Sequence, residues 1–299
     1  MSEPADPYGE SLPSENPQDI TPELRDWITA QTVLGHDREA LLAAMVDAGW
    51  SRGAASGALD ATGPASHAAR PDRKLHQPAS PLTVPRPDVS AGQLQVDAGD
   101  RQVSVLMTMQ EPDITLFGGL LDDEECNALM DAARRRLTRS LTVEVKTGGE
   151  ELNDDRTSQG MFFARGENAL IDRIEARIAR LLDWPVENGE GLQVLRYGPG
   201  AEYKPHYDYF DPAEPGTPAI LQRGGQRVAT LIIYLNEPES GGATLFPDVR
   251  LQVAPQRGNA VFFSYSRPHP GSHTLHGGAP VQVGEKWIAT KWLREREFN

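Results

Sequence analysis

Apolar residues along the chain keep three different rhythms. From Thr21 they recur at helical spacing: Thr21 and Pro22 form an N-cap with proline at the first helical position, and Leu24, Trp27 and Ile28 share a face. Leu41, Leu42, Met45 and Val46 predict a second helix ending at Gly49, and 51–61 a third, making a small N-terminal helical unit over 21–61. No period survives in 62–93, where Pro64, Pro71, Pro78, Pro81, Pro85 and Pro87 predict an extended linker. A second domain is expected over 94–299. It opens with two amphipathic helices, one capped by Asp122 or Asp123 with Cys126, Leu129, Met130, Ala133 and Leu137 on one face, the other carrying Leu170, Ile171, Ile174, Ile178 and Leu181. The period then changes to two. Strands are predicted over 192–197, 227–235, 243–246, 260–263, 280–283 and 287–293, separated by Gly and Pro clusters. Helices followed by a meander of short strands indicate a mainly β domain with flanking helices, a sandwich or jelly roll rather than a βαβ fold.

Composition narrows the function. With 43 acidic against 29 basic side chains, the net charge of -14 repels a phosphate backbone, and no basic stripe interleaved with aromatics offsets it. Nucleic acid is excluded as a partner. Residues 1–20 are acidic and rich in Pro and Ser, which predicts a disordered tail. Glu3, Asp6, Glu10, Glu15 and Asp19 precede the first basic residue, Arg25, the reverse of a cationic targeting peptide. No apolar run approaches the roughly 20 residues that cross a bilayer. One cysteine, Cys126, leaves no internal disulfide framework. A cytoplasmic protein with no membrane partner is expected.

The chemistry concentrates at His206-Tyr-Asp208. In an extended chain residues i and i+2 project from one face, so both side chains can reach one cation. Two His and one carboxylate leave open the positions that non-haem Fe(II) oxygenases require. His-x-Asp alone is a weak signal, and three downstream histidines compete for the third ligand: His269, His273 and His276. Only His276 opens a segment that places Lys286 ten positions later. A buried lysine near a metal suits the far carboxylate of a dicarboxylate whose other end chelates the ion. A tight hairpin at Gly284 and Glu285 would put Lys286 opposite Val283, about 23 Å along the strand from His276. That is too far, so the turn must cross between two sheets.

Over Glu111 to Phe298 the chain resembles the prolyl 4-hydroxylases, including the catalytic domain of the collagen-modifying enzyme and its algal and bacterial relatives. The shared motifs are Arg156-Thr-Ser, Leu192-Gln-Val-Leu-Arg-Tyr-Gly, Tyr203-Lys-Pro-His-Tyr-Asp, Arg227-Val-Ala-Thr, Tyr234-Leu-Asn, Gly241-Gly-Ala-Thr-Leu-Phe-Pro and the run from His276 through Lys286-Trp to Leu293. The resemblance implies a double-stranded β-helix (jelly-roll) core buttressed by helices, with Fe(II), 2-oxoglutarate and O2 as cofactors and ascorbate as a reductant. His206, Asp208 and His276 fall on the iron ligands. Lys286, Tyr197 and Thr244 fall on the groups holding the far carboxylate of 2-oxoglutarate, although Tyr197 and Thr244 also read as ordinary strand residues. Tyr203, Arg227 and Trp292 fall on the peptide groove, although Trp292 also reads as core.

The implied reaction converts 2-oxoglutarate to succinate and CO2 while C4 of a proline in a peptide or protein substrate is hydroxylated. Hydroxylation of another residue, and an iron-holding sensor without turnover, are the alternatives. In one departure Trp292-Leu-Arg294-Glu-Arg296 stands where the collagen-type enzymes commonly have Trp-Leu-His-Glu-Arg, so Arg294 replaces a histidine used near substrate. In another, the N-terminal unit lacks any resemblance to the peptide-binding domain of the collagen enzyme. It resembles ubiquitin-associated-type three-helix modules; a helical docking or packing appendage is the other reading. Residues 211–226, a Gly- and Pro-containing stretch after the metal strand, are a candidate lid.

Overall fold

The computed structural model describes residues 28, 38–47, 49–62, 81–89, 92–139, 142–143, 150–151 and 157–299. It divides the chain into two units, 1–78 and 79–299. The predicted tail, most of the first helix, Arg156 and the middle of the linker lie outside the described residues.

In the first unit α1 (Arg38–Asp47) and α2 (Arg52–Thr62) pack Leu41, Leu42, Met45, Ala55, Ala58 and Leu59 around Ile28, with Trp50 alongside. Gly49, at φ +95°, ends α1: its N–H donates to Val46 O, and Trp50 N–H donates to Met45 O. Val46, expected on the packed face, is 38 % exposed.

The second unit begins at Ala79, ahead of the Leu94 boundary read from the sequence. Proline content suggested linker, yet Leu82 N–H donates to Ser266 O at 2.8 Å, Pro85 and Pro87 are buried, and Val89 packs on the core. The prolines here fix an extended strap against the domain.

The strands are β1 (Gln95–Asp97), β2 (Gln102–Met109), β3 (Asp113–Gly118), β4 (Thr138–Arg139), β5 (Thr142–Val143), β6 (Glu150–Glu151), β7 (Gln159–Phe163), β8 (Leu192–Tyr197), β9 (Tyr203–His206), β10 (Arg227–Tyr234), β11 (Ser240–Gly241), β12 (Thr244–Phe246), β13 (Leu251–Val253), β14 (Ala260–Ser264), β15 (His276–Gly278), β16 (Val281–Val283) and β17 (Lys286–Arg294). Nine of them form the major sheet, in the order β1-β2-β3-β14-β10-β17-β8-β7-β4. A four-stranded sheet, β13-β12-β15-β9, and the pair β11-β16 form the opposing wall. This is a double-stranded β-helix. β16 pairs with β11, whereas β17 joins the major sheet between β10 and β8, so the chain does cross between sheets before Lys286.

Alternation along the strands sorts the two faces of the major sheet. Trp287, Ala289 and Leu293 of β17 and Ala229, Leu231 and Ile233 of β10 pack with helices α3 (Asp123–Arg134) and α4 (Ala169–Leu182). Lys286, Ile288, Thr290 and Trp292, with Thr230 and Ile232, turn inward to the cavity between the sheets. Asp122 is the N-cap of α3, in a capping box with Glu125. α3 ends at Arg134, so Leu137 lies past its end, although it still packs on the same core.

Candidate active site

β9 and β15 are antiparallel, with His206 and His276 as register partners, and Asp208 follows just after β9. Gly277 permits this closeness: a Cβ there would meet Tyr203 O at 2.8 Å. The three side chains offer ligand atoms within 4.8 Å of one another. His276 Nε2 lies 3.3 Å from Asp208 Oδ2, and His206 Nε2 lies 3.7 Å from Asp208 Oδ1.

The hydrogen bonds behind the ligands set their protonation. His206 Nδ1 lies 2.8 Å from Lys204 O and His276 Nδ1 lies 3.0 Å from Thr274 O. A carbonyl only accepts, so each Nδ1 carries the proton and each Nε2 presents a lone pair. Two imidazole lone pairs and a carboxylate converging in a buried space repel one another unless a cation joins them. Burial opposes ionisation of Asp208, and positive charge at His276, His206 and Arg227 outweighs it and holds the carboxyl well below the usual carboxylate range; with both imidazoles neutral, their share of that charge must come from a bound cation. This donor set fits Fe(II). His269 and His273 are exposed in the turn before β15, and His269 Nδ1 accepts from Gly271 N–H.

Lys286 lies in the same cavity, 3 % exposed. Burial pushes its ammonium down to about 8. Its Nζ is 5.7 Å and 5.8 Å from the ring centroids of Tyr197 and Tyr234, a cation–π setting with no carboxylate partner among the described residues. Tyr234 Oη donates to Thr244 Oγ1 at 2.8 Å, and Thr244 pairs with Gly278 of β15. A Cβ on Gly278 would sit 3.9 Å from Lys286 Nζ. Gly278 is two positions from His276, about 6.6 Å along the strand, a span comparable with a five-carbon diacid. Lys286, Tyr197 and Thr244 therefore share the cavity with the three donors, walled by Leu195, Ile232 and Ile288.

The residues expected at the substrate groove divide. Tyr203 stacks on the His206 ring at 3.7 Å, and both Tyr203 and Trp292 line the cavity. Trp292 Nε1 is buried and lacks a hydrogen-bond partner among the described residues. Arg227 lies 4.0 Å over the Trp292 ring and pairs with Glu190 through two bonds of 2.7 and 3.0 Å, outside the cavity lining. Arg294 is also outside it. It is 3 % exposed, donates to Gly225 O at 2.8 Å, sits 3.1 Å from Glu190 Oε1, and lies between the Phe210 and Phe298 rings. A groove-lining cation was expected; the structure makes Arg294 a buried bracket behind Arg227, its pKa pushed down to about 10 by burial. Residues 211–226 contain α5 (Thr217–Gln222) and are pinned by Thr217 Oγ1 donating to Asp211 O and by the Gln226 amide bonded to both Phe210 N–H and O. Glu190, Thr230 and Tyr265 were missed. A lone acid between Gly189 and Gly191 was the one available signal for Glu190.

The inward-facing His-Asp-His set in a double-stranded β-helix defines a 2-oxoglutarate- and Fe(II)-dependent oxygenase, and residues 192–294 match the 2OG-Fe(II) oxygenase superfamily. Prolyl 4-hydroxylase 5 of Arabidopsis thaliana is 39% identical over 222 residues, covering 67% of this chain and 74% of that protein. Prolyl 4-hydroxylase 1 of the same plant is 42% identical over 203 residues, covering 62% and 70%. The chain belongs to the prolyl 4-hydroxylase family. A solved structure of the viral collagen prolyl hydroxylase from Paramecium Bursaria Chlorella virus-1, in its 2OG complex, is 34% identical with a TM-score of 0.48, covering 60% of this chain and 95% of that one.

Proposed function

We propose that this chain hydroxylates C4 of proline in a peptide or protein substrate, using Fe(II), 2-oxoglutarate and O2. The observation that carries the reading is one buried cavity holding both a His206-Asp208-His276 donor set and the ammonium of Lys286, which has no carboxylate partner among the described residues. Bound there, Fe(II) with 2-oxoglutarate supplies the oxidation, O2 giving one atom to succinate as CO2 leaves and the other to the substrate C–H bond.

The protein supplies position and dryness. His206, Asp208 and His276 would hold the metal, a donor set that suits Fe(II). Lys286 meets the far carboxylate, with Thr244 and Tyr197 beside it, because an unpaired anion in this apolar interior is costly. Leu195, Ile232 and Ile288 keep water out. Tyr203 and Trp292 face the incoming peptide, and the free Trp292 Nε1–H suits a peptide carbonyl. Glu190 holds Arg227 against the Trp292 ring. No side chain needs to act as a general base.

A cytoplasmic location fits the single cysteine, Cys126, which is buried and whose thiol burial raises to about 11. No helix among the described residues is long and apolar enough to cross a membrane.

The test is succinate release that depends on a proline-containing peptide, with mass spectrometry locating one added oxygen on proline. Peptide-independent succinate as the sole product, or oxygen on another residue, overturns the reading.

A further inference from the structure

We propose that Thr230 and Tyr265 are positioning residues that hold the Asp208 carboxylate in a one-oxygen binding mode and so keep a metal position open for O2. The inference rests on the reading of His206, Asp208 and His276 as metal ligands.

Thr230 projects from β10 into the cavity and is fully buried. Its Oγ1 donates to Asp208 Oδ2 at 2.7 Å. The direction is not in question, since an ionised carboxylate only accepts. Thr230 has one proton, and it is committed to Asp208. The 3.0 Å contact between Thr230 Oγ1 and Tyr265 Oη must therefore run from the tyrosine. The result is a one-way chain, Tyr265 to Thr230 to Asp208. Tyr265 is packed in place: it is 2 % exposed, its backbone N–H donates to Val228 O, and its ring packs against Phe263 and Tyr209.

Coordination arithmetic gives this chain a purpose. Six positions must accommodate two imidazoles, the carboxylate, two atoms of 2-oxoglutarate and O2. A carboxylate that binds through both oxygens takes the position O2 needs. Thr230 takes one lone pair of Oδ2 and fixes the plane of the carboxylate, which weakens Oδ2 as a second donor and favours binding through one oxygen. Partners of this kind behind a ligand orient it, and losing one costs about 10- to 100-fold in metal affinity or activity. Thr230 is also the cross-strand partner of Trp292, so Fe(II) affinity and band position, rather than turnover, separate its hold on Asp208 from an effect at the peptide rim.

The experiment uses the full chain under anaerobic conditions, with Fe(II) titrated and the visible charge-transfer band of the Fe(II) and 2-oxoglutarate complex recorded. Thr230→Val, which keeps shape and removes the hydroxyl, is expected to weaken Fe(II) at least tenfold and to displace the band, whereas Thr230→Ser restores both to about wild type. Tyr265→Phe, which leaves the Thr230 bond but removes its orienting donor, displaces the band by less. A folded Thr230→Val with wild-type affinity and band position overturns the proposal. Should Thr230→Val fail to fold, Tyr265→Phe decides, and an unmoved band overturns it. His276→Ala separates the two readings. Retained Fe(II) binding in that variant sinks the ligand assignment itself, while loss there with an unaffected Thr230→Val sinks only the role of Thr230.

Discussion

Lys286 is the register partner of Tyr197 on the adjoining strand, and its ammonium lies 5.7 Å from the centre of that ring. Among the described residues Asp208 is the sole carboxylate lining their cavity, and it faces the two histidines. A cation buried in this way makes the empty fold less stable and the loaded one tighter, and the two effects can be measured separately.

Lys286→Met should weaken 2-oxoglutarate severely. Breaking one side of a buried charge pair costs about 3–5 kcal/mol, a loss of roughly 10²–10³ in affinity. The same substitution should stabilise the ligand-free protein. Burial lowers the lysine from 10.5 to about 8, and at about 1.4 kcal/mol per unit this is about 3 kcal/mol. The folded pKa is below the unfolded one, so the charged lysine costs the fold most below pH about 8, and the cost fades as pH rises towards 10.5. Denaturant unfolding and 2-oxoglutarate titration should therefore move in opposite directions. Affinity within about threefold of wild type, far short of the loss expected for a broken buried pair, would make Lys286 a structural residue rather than the anchor.

The pH dependence of cosubstrate binding follows from the same group. The ammonium is the form that pairs with a carboxylate, so 2-oxoglutarate affinity should fall as pH rises through about 8, approaching tenfold per pH unit. In Lys286→Met the slope should vanish. A wild-type affinity flat from pH 7 to pH 9.5 would show that another cation meets the ligand.

Among the clustered histidines, His276→Ala should abolish Fe(II) binding, while His269→Ala and His273→Ala should leave it intact. The two latter side chains are exposed and contribute no atom to the donor cluster. Isothermal titration with Fe(II) under argon distinguishes them, and equal loss at His273 would overturn the assignment.

Arg294→His should act on stability before it acts on chemistry. The guanidinium is buried against Glu190, Gly225 O and two aromatic rings, and a shorter ring cannot keep all of these contacts. A loss of about 1–3 kcal/mol is expected, with succinate formation in the absence of peptide unchanged. A collapse of that uncoupled reaction would place Arg294 in the cosubstrate site.

A chain starting at Ala79 should fold as the intact protein does, whereas one starting at Leu94 should unfold at lower denaturant. The shorter chain loses the Leu82 to Ser266 bond and the burial of Pro85, Pro87 and Val89, worth about 2–4 kcal/mol by apolar area. Equal midpoints would show that the strap adds nothing.

Local pattern determined much of this protein. The 3.6-residue period placed α3 and α4, the capping acid marked Asp122, and the two-residue period placed β8, β10 and β17, because each of these elements buries a continuous face of its own. Spacing also brought forward His206 and Asp208, since residues i and i+2 on a strand share a side, and the family resemblance singled out His276 and Lys286. What the tertiary structure alone decided depends on partners far along the chain. β9 (Tyr-Lys-Pro-His) and β15 (His-Gly-Gly) have no apolar rhythm and are strands because they pair with each other. Glu190, Thr230 and Tyr265 are ordinary polar residues until folding sets them against Arg227 and Asp208. Arg294 was expected at the substrate groove, yet Phe210 and Glu190 from distant segments and Phe298 from the nearby C-terminal stretch converge on it and bury it. Hydrogen bonds and desolvation act through space, so the identity of a residue determines what it can bond to, and only the assembled fold determines what it meets.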